Sequence, residues 1–143
     1  MADLPPPPAP AGAYVPAVAH DGVVHSAGAV PFENGALAVT GRVGDDVDLD
    51  AARRAARICA RNALSAVAAA AGGLDNIERI LRTGVFVQCT ADFKDIARVA
   101  DGASEALLEV LGERGRGVRT SVGVYSLPLD AAVEVELVAA YRR

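Results

Sequence analysis

The chain has no tryptophan and only three tyrosines and three phenylalanines, so its 52% hydrophobic content is carried mostly by alanine and valine. A core of small side chains gains little from each one, since burial is worth about 25 cal/mol per Å² of apolar area. Further burial between identical subunits would compensate, and a homo-oligomer is expected. Cysteine is almost as scarce. Cys59 and Cys89 stand alone, without a CxxC spacing or a nearby histidine, which argues against zinc. They read as free thiols, Cys59 on the apolar face of a helix and Cys89 at the end of an apolar strand. Basic residues are outnumbered, 14 against 18 acidic ones, and a net charge of −4 leaves no basic track for nucleic acid. Only two histidines exist, His20 beside a turn and His25 within a strand, a poor basis for ribonuclease chemistry. No apolar run approaches the ~20 residues of a membrane span. The start, Met1-Ala-Asp-Leu-Pro-Pro-Pro-Pro, lacks the basic opening and apolar stretch of a secretory signal. A cytoplasmic protein with no metal, cofactor, nucleic-acid or membrane partner is therefore expected.

What is present organises into one domain, as the length of 143 residues suggests. Pro5 to Pro8 and Pro10 favour an extended polyproline lead that cannot donate ladder hydrogen bonds. We assign residues 1–11 to this lead and 12–143 to the folded domain. Tyr14 to Val18 and Val23 to Gly28 read as a hairpin around His20-Asp21-Gly22. Asn34-Gly35 is a second hairpin turn, followed by a short strand over 36–40. Asp48 or Asp50 caps a long helix running to about Ala71, with Ala52, Ala56, Cys59, Ala63, Val67 and Ala70 inward. On its outer side Arg53, Arg57 and Arg61 recur every four residues and read as a solvated face rather than a phosphate site. A half-buried strand follows over Thr83 to Cys89. Asp92 then caps a second helix that ends at Gly112 to Gly117. Two more strands, 118–125 and 131–140, complete an α+β layered fold, a mixed sheet of five or six strands with two helices on one face. The face without helices needs another cover, which a second subunit supplies.

The last two strands carry the candidate chemistry. Arg119, Ser121, Gly123 and Tyr125 share one face of the first, while Glu134 and Glu136 share a face of the second. If the two strands are neighbours, an arginine and a carboxylate line one cleft. A guanidinium is a planar fork suited to a carboxylate, and a partly buried Glu can pass protons to and from water. The same residues also suit an ordinary cross-strand ion pair.

The stretch Arg119 to Ala139, with its small-Val-x-Val strand, Leu127-Pro128 turn and Val133-Glu-Val-Glu136 strand, resembles the Rid (reactive intermediate deaminase, YjgF-like, endoribonuclease L-PSP) family. Tyr14-Val-Pro-Ala-Val18, Ala27-Gly-Ala-Val-Pro-Phe32 and Asp101-Gly-Ala-Ser104 extend the likeness over nearly the whole chain. The opening Leu4-Pro-Pro-Pro-Pro and Ser126-Leu-Pro-Leu129 resemble a longer, poorly characterised branch of that family. The resemblance implies a chorismate-mutase-like fold and a homotrimer with clefts between subunits. It also implies hydrolysis of 2-imino or 2-enamino acids to 2-keto acids and ammonia. Arg119 would hold the substrate carboxylate and Glu134 would position or activate water, with Tyr14, Gly28 and Ser121 around the substrate. Where archetypal members carry Ser-Gly-Gln, this chain has Ala27-Gly28-Ala29, which suggests a more apolar or bulkier imine. The rival readings are a non-catalytic trimer that binds small carboxylates as a pathway accessory, and a ribonuclease.

Overall fold

Two tight turns set the first registers. Asp21 and Gly22 have φ of 51° and 85°, and Asn34 and Gly35 have φ of 54° and 85°. Consecutive positive φ is the type I′ geometry whose twist matches a two-residue hairpin. The first turn joins β1 (Ala17–His20) to β2 (Val23–Ser26), and the second joins β3 (Phe32–Glu33) to β4 (Ala36–Leu37). Both hairpins are shorter than the sequence suggested. Tyr14 lies outside β1, in a tight turn closed by its N–H on the Gly12 carbonyl. The segment 38–40 leaves strand geometry, keeping only a bridge from Thr40 to Ala131.

The computed structural model describes residues 3–143. Helix α1 (Leu49–Ala70) starts at Asp48, whose carboxylate accepts the Ala51 N–H at 2.8 Å, as a helix cap should. It ends before Gly72 and Gly73, both at positive φ. Ala70, expected inward, is exposed, whereas Ala71 beside it is buried and packs on the core. Helix α2 (Ile96–Leu111) begins later than expected. Asp92 does not cap it, because its carboxylate accepts the Thr90 hydroxyl at 2.7 Å instead.

Strands β5 (Ile77–Gln88), β6 (Val118–Val124) and β7 (Val133–Tyr141) complete a five-stranded mixed sheet in the order β1-β2-β7-β5-β6. β5 runs parallel to β6, and the other pairs are antiparallel. β5 starts six residues earlier than Thr83, where its alternation first becomes regular. Register shifts at Ile77/Arg79 and Ile80/Arg82 scramble the period-two pattern of its first half.

Both helices cover the face that carries Val133, Val135, Leu137 and Ala139, all buried. Among the described residues the opposite face carries no α-helix. The helices approach closely: a Cβ on Gly102 would lie 2.4 Å from the Arg53 carbonyl oxygen, so only glycine permits this crossing. The arginine stripe of α1 is not merely solvated. Arg53 and Arg57 reach across to Glu105 and Glu109 of α2 at 2.9 and 2.6 Å, and Arg61 donates to the Asp3 carbonyl. Cys59 is buried on the inner face of α1 with its Sγ donating to the Val133 carbonyl at 3.4 Å, and both cysteines are free thiols.

Candidate functional site

Cross-strand partners share a face of a sheet, and the register places the two candidate side chains on different faces. Arg119 pairs with Thr83, which pairs with Leu137 on the helix-covered side. Glu134 pairs with Phe86, which pairs with Val122 on the open side. The strands that carry them are not neighbours, because β5 lies between. Within one chain, then, Arg119 and Glu134 share no cleft and form no ion pair.

The carboxylate half is a cavity of about 480 Å³ beside the open end of β7. Glu134, Gly28 and Tyr14 all line it, together with Pro128, Leu129 and the proline-rich lead. Gly28 leaves the Glu134 carboxylate its room: a Cβ there would lie 2.4 Å from Glu134 Oε2 and would displace it. The strand is irregular at this point. Ser26 Oγ accepts the Leu137 N–H at 2.9 Å, and regular exchange resumes only between Ala29 and Val135. Burial pushes the Glu134 carboxyl above its ordinary value, and the charge on Glu136 pushes the same way. Tyr14 is half exposed, and its hydroxyl accepts the Ala11 N–H at 3.4 Å.

Gln88 does not line the cavity but secures the loop that supplies Pro128 and Leu129 to it. This fully buried side chain donates to the Gly41 carbonyl at 2.8 Å and to Asp130 Oδ1 at 2.7 Å, and its own oxygen accepts the Leu127 N–H at 2.7 Å. Those bonds hold the loop in which Leu129 and Asp130 both sit at positive φ, 61° and 59°. A bulky residue there is strained, and such strain is maintained only where the surroundings enforce it.

The arginine half lies on the helix side of edge strand β6. Arg119 Nη1 donates to Asp101 Oδ1 at 2.9 Å and to Ser104 Oγ at 3.1 Å, and Nη2 donates to the Ala97 carbonyl at 3.3 Å. Among the described residues its Nε–H has no protein acceptor, and 23% of the side chain stays exposed. Ser121 is two residues along the same face. The motif Asp101-Gly-Ala-Ser104 thus serves twice. Its carboxylate and hydroxyl, three residues apart on one helix face, orient Arg119, while Gly102 and Ala103 seat α2 in the core. The spacing was legible in the sequence, but its target was not.

A second hollow of about 520 Å³ lies between the lead, the β3–β4 hairpin and Arg61, and holds none of the expected site residues. His20 is exposed, 3.5 Å from Asp21, and neither histidine lines the Glu134 cavity. Among the described residues no group of three His, Cys, Asp or Glu side chains is arranged to hold a metal, and no helix is long and apolar enough to cross a membrane.

The sequence model of the family described as Endoribonuclease L-PSP matches residues 6–141. The chain belongs to that family. Protein TCP17 of Trypanosoma cruzi is 39% identical over 134 residues, covering 93% of this chain and 84% of the relative. A protein of unknown function from Agrobacterium tumefaciens superposes with a TM-score of 0.88 at 41% identity, covering 90% of this chain and 82% of the other. The YjgF gene product of E. coli superposes with a TM-score of 0.68 at 28% identity, covering 95% and 94%. The L-PSP (YjgF-like) fold is thereby established for this chain, with β1 and β6 as the two edges of its sheet.

Proposed function

We propose that this L-PSP family member hydrolyses reactive 2-imino and 2-enamino acids to 2-keto acids and ammonia, in clefts between the subunits of a homotrimer. The observation that carries this reading is Glu134: a half-buried carboxyl with a raised proton affinity, set beside a glycine that leaves it room, in a cavity large enough for a small organic acid. A carboxyl tuned towards neutrality both takes and returns a proton efficiently.

The substrate carboxylate needs a cation, and the cavity has none of its own among the described residues that line it. Arg119 is the candidate, presented at the unpaired edge of β6 with Asp101 and Ser104 fixing one end of its fork. Since the two halves face opposite sides of one sheet, the pair can meet only when the β6 edge of one subunit approaches the Glu134 cavity of another. Unpaired edge strands and exposed apolar side chains favour such packing. Val118 and Val122 of β6 and Val18 of β1 are exposed, and Val122 shares the open face with Phe86 and Glu134.

In the proposed reaction Glu134 accepts a proton from water as the oxygen bonds to C2 and the C=N π pair moves to nitrogen. The proton is then returned to nitrogen, the C2–N bond breaks with its electron pair leaving on ammonia, and the hydroxyl proton passes through the Glu134 carboxylate to that ammonia as the ketone forms. One iminium and one water give one keto acid and one ammonium ion. Arg119 holds the carboxylate throughout, and Tyr14, Gly28 and Ser121 bound the substrate.

The test is kinetic, with imines generated in situ by an amino-acid oxidase. Arg119→Ala and Glu134→Ala are each expected to lower keto-acid release by about 10²-fold or more. Equal rates for all three proteins would refute the proposal, and keto-acid binding without imine turnover would leave a carboxylate-binding trimer. Native mass measurement gives the subunit count.

A further inference from the structure

The proline-rich lead is not a free tail. Its Pro5 carbonyl accepts the Ser65 hydroxyl at 2.5 Å, its Asp3 carbonyl accepts from Arg61, and Leu4 packs against the core. At the other end the Ala11 N–H donates to the Tyr14 hydroxyl. Between these fastenings Pro6 to Ala11 form one wall of the cavity that contains Glu134. A polyproline segment has no hydrogen bonds of its own and a fixed φ, so once pinned at both ends it is a stiff apolar surface that loses little entropy on ordering.

The remaining walls match it in chemistry. Ala27, Val30, Phe32, Ala66 and Leu129 are apolar, and Glu134 is the one charged residue among those described as lining the space. The Asn62 amide already donates to the Val30 and Phe32 carbonyls at 3.1 and 2.9 Å. A carboxylate side chain on the substrate would meet Glu134 without a cation to offset it, and an ammonium would lose its water for a single partner. A neutral hydrocarbon group would instead be buried against proline rings and the Tyr14 ring.

Resting on the hydrolytic reading above, we propose that the lead is the specificity wall of the site, and that it restricts the substrate to 2-imino acids with an uncharged, apolar side chain larger than methyl. The lead thus acts on the substrate's side chain, while Arg119 and Glu134 act on its carboxylate and imine.

Two variants test this: one with Pro6, Pro7, Pro8 and Pro10 each replaced by Gly at unchanged length, and Ser65→Ala, which unfastens the lead. Each is compared with the parent protein for hydrolysis of leucine-derived, alanine-derived and aspartate-derived imines. Binding of 4-methyl-2-oxopentanoate, pyruvate and oxaloacetate is measured by calorimetry in parallel. The parent is expected to favour the leucine-derived imine, and the leucine-to-alanine ratio of kcat/KM to fall about tenfold in the glycine variant and less in Ser65→Ala, as lost hydrocarbon contact dictates. The binding ratio of the two corresponding keto acids is expected to fall likewise. Unchanged ratios in variants with parental circular dichroism and native mass overturn the inference and leave the hydrolytic reading standing. So does a parent preference for the alanine- or aspartate-derived imine. A lead-dependent binding ratio without imine turnover does the reverse, and neither binding nor turnover overturns both.

Discussion

Gly28→Ala separates the stability of this fold from the placement of Glu134. The added Cβ would lie 2.4 Å from Oε2, 2.7 Å from Cδ and 3.0 Å from Cγ of Glu134. These three nearest atoms belong to one side chain that is half exposed, so Glu134 swings away and the backbone stays in place. Forcing a χ angle some 30° from its well costs about 0.5–1.5 kcal/mol. Replacing glycine at an ordinary φ returns about 0.4–1 kcal/mol through the unfolded chain. The two nearly cancel, and the melting temperature is expected to move by no more than about 4 °C. Activity responds differently, because a displacement of about 1 Å at a reacting group costs on the order of 10²-fold in rate. Gly102→Ala is the control. Its Cβ meets the Arg53 backbone at 2.4 Å, which no rotamer relieves, so a loss of about 1–3 kcal/mol is expected with the rate per folded molecule unchanged. Thermal melts and imine hydrolysis on both variants decide the matter. Full activity in Gly28→Ala, or a melting loss equal to that of Gly102→Ala, would show that Glu134 is not held as described.

Folding raises the Glu134 pKa, so the protonated acid is the form the folded state favours; that stabilisation is complete below the unfolded chain's pKa and is lost as pH rises through the folded value. Glu134→Gln is therefore expected to melt higher than the parent at neutral pH, with the gap closing in acid, and a lower melting point at neutral pH would contradict the burial argument. Gln88→Leu leaves the Leu127 N–H and the Gly41 carbonyl without their partner, at about 1–3 kcal/mol for each buried group, and frees the loop that carries Leu129. Chemical denaturation should show that loss, and a stability equal to the parent's would mean that the network is not buried. Cys59 is fully buried, with burial raising its thiol pKa, so it is expected to resist an aromatic disulfide reagent until the protein unfolds, whereas half-buried Cys89 reacts first. Peptide mapping after brief labelling distinguishes the two sites.

Local rules carried the sequence reading a long way. Asp-Gly and Asn-Gly pairs set both hairpins, Asp48 set the start of α1, and alternation placed Glu134 opposite Val133 and Val135 before any strand order was known. Each of these depends on residues within a few positions of one another. The family was legible for the same reason, in short stretches such as Val133-Glu-Val-Glu136 and Asp101-Gly-Ala-Ser104. Strand order is a different kind of information. Alternation says which residues share a face of their own strand, but not which strand lies alongside. The insertion of β5 separates β6 from β7, and the registers of the two pairs put Arg119 and Glu134 on opposite faces, without any trace in the periodicity. Only the tertiary structure brought Asp101 and Ser104 to the Arg119 guanidinium, Gln88 to the Leu127–Asp130 loop, and the proline lead to the wall of the Glu134 cavity. Those contacts join residues far apart in the chain, and what creates them is the packing of whole elements rather than the preference of any one segment.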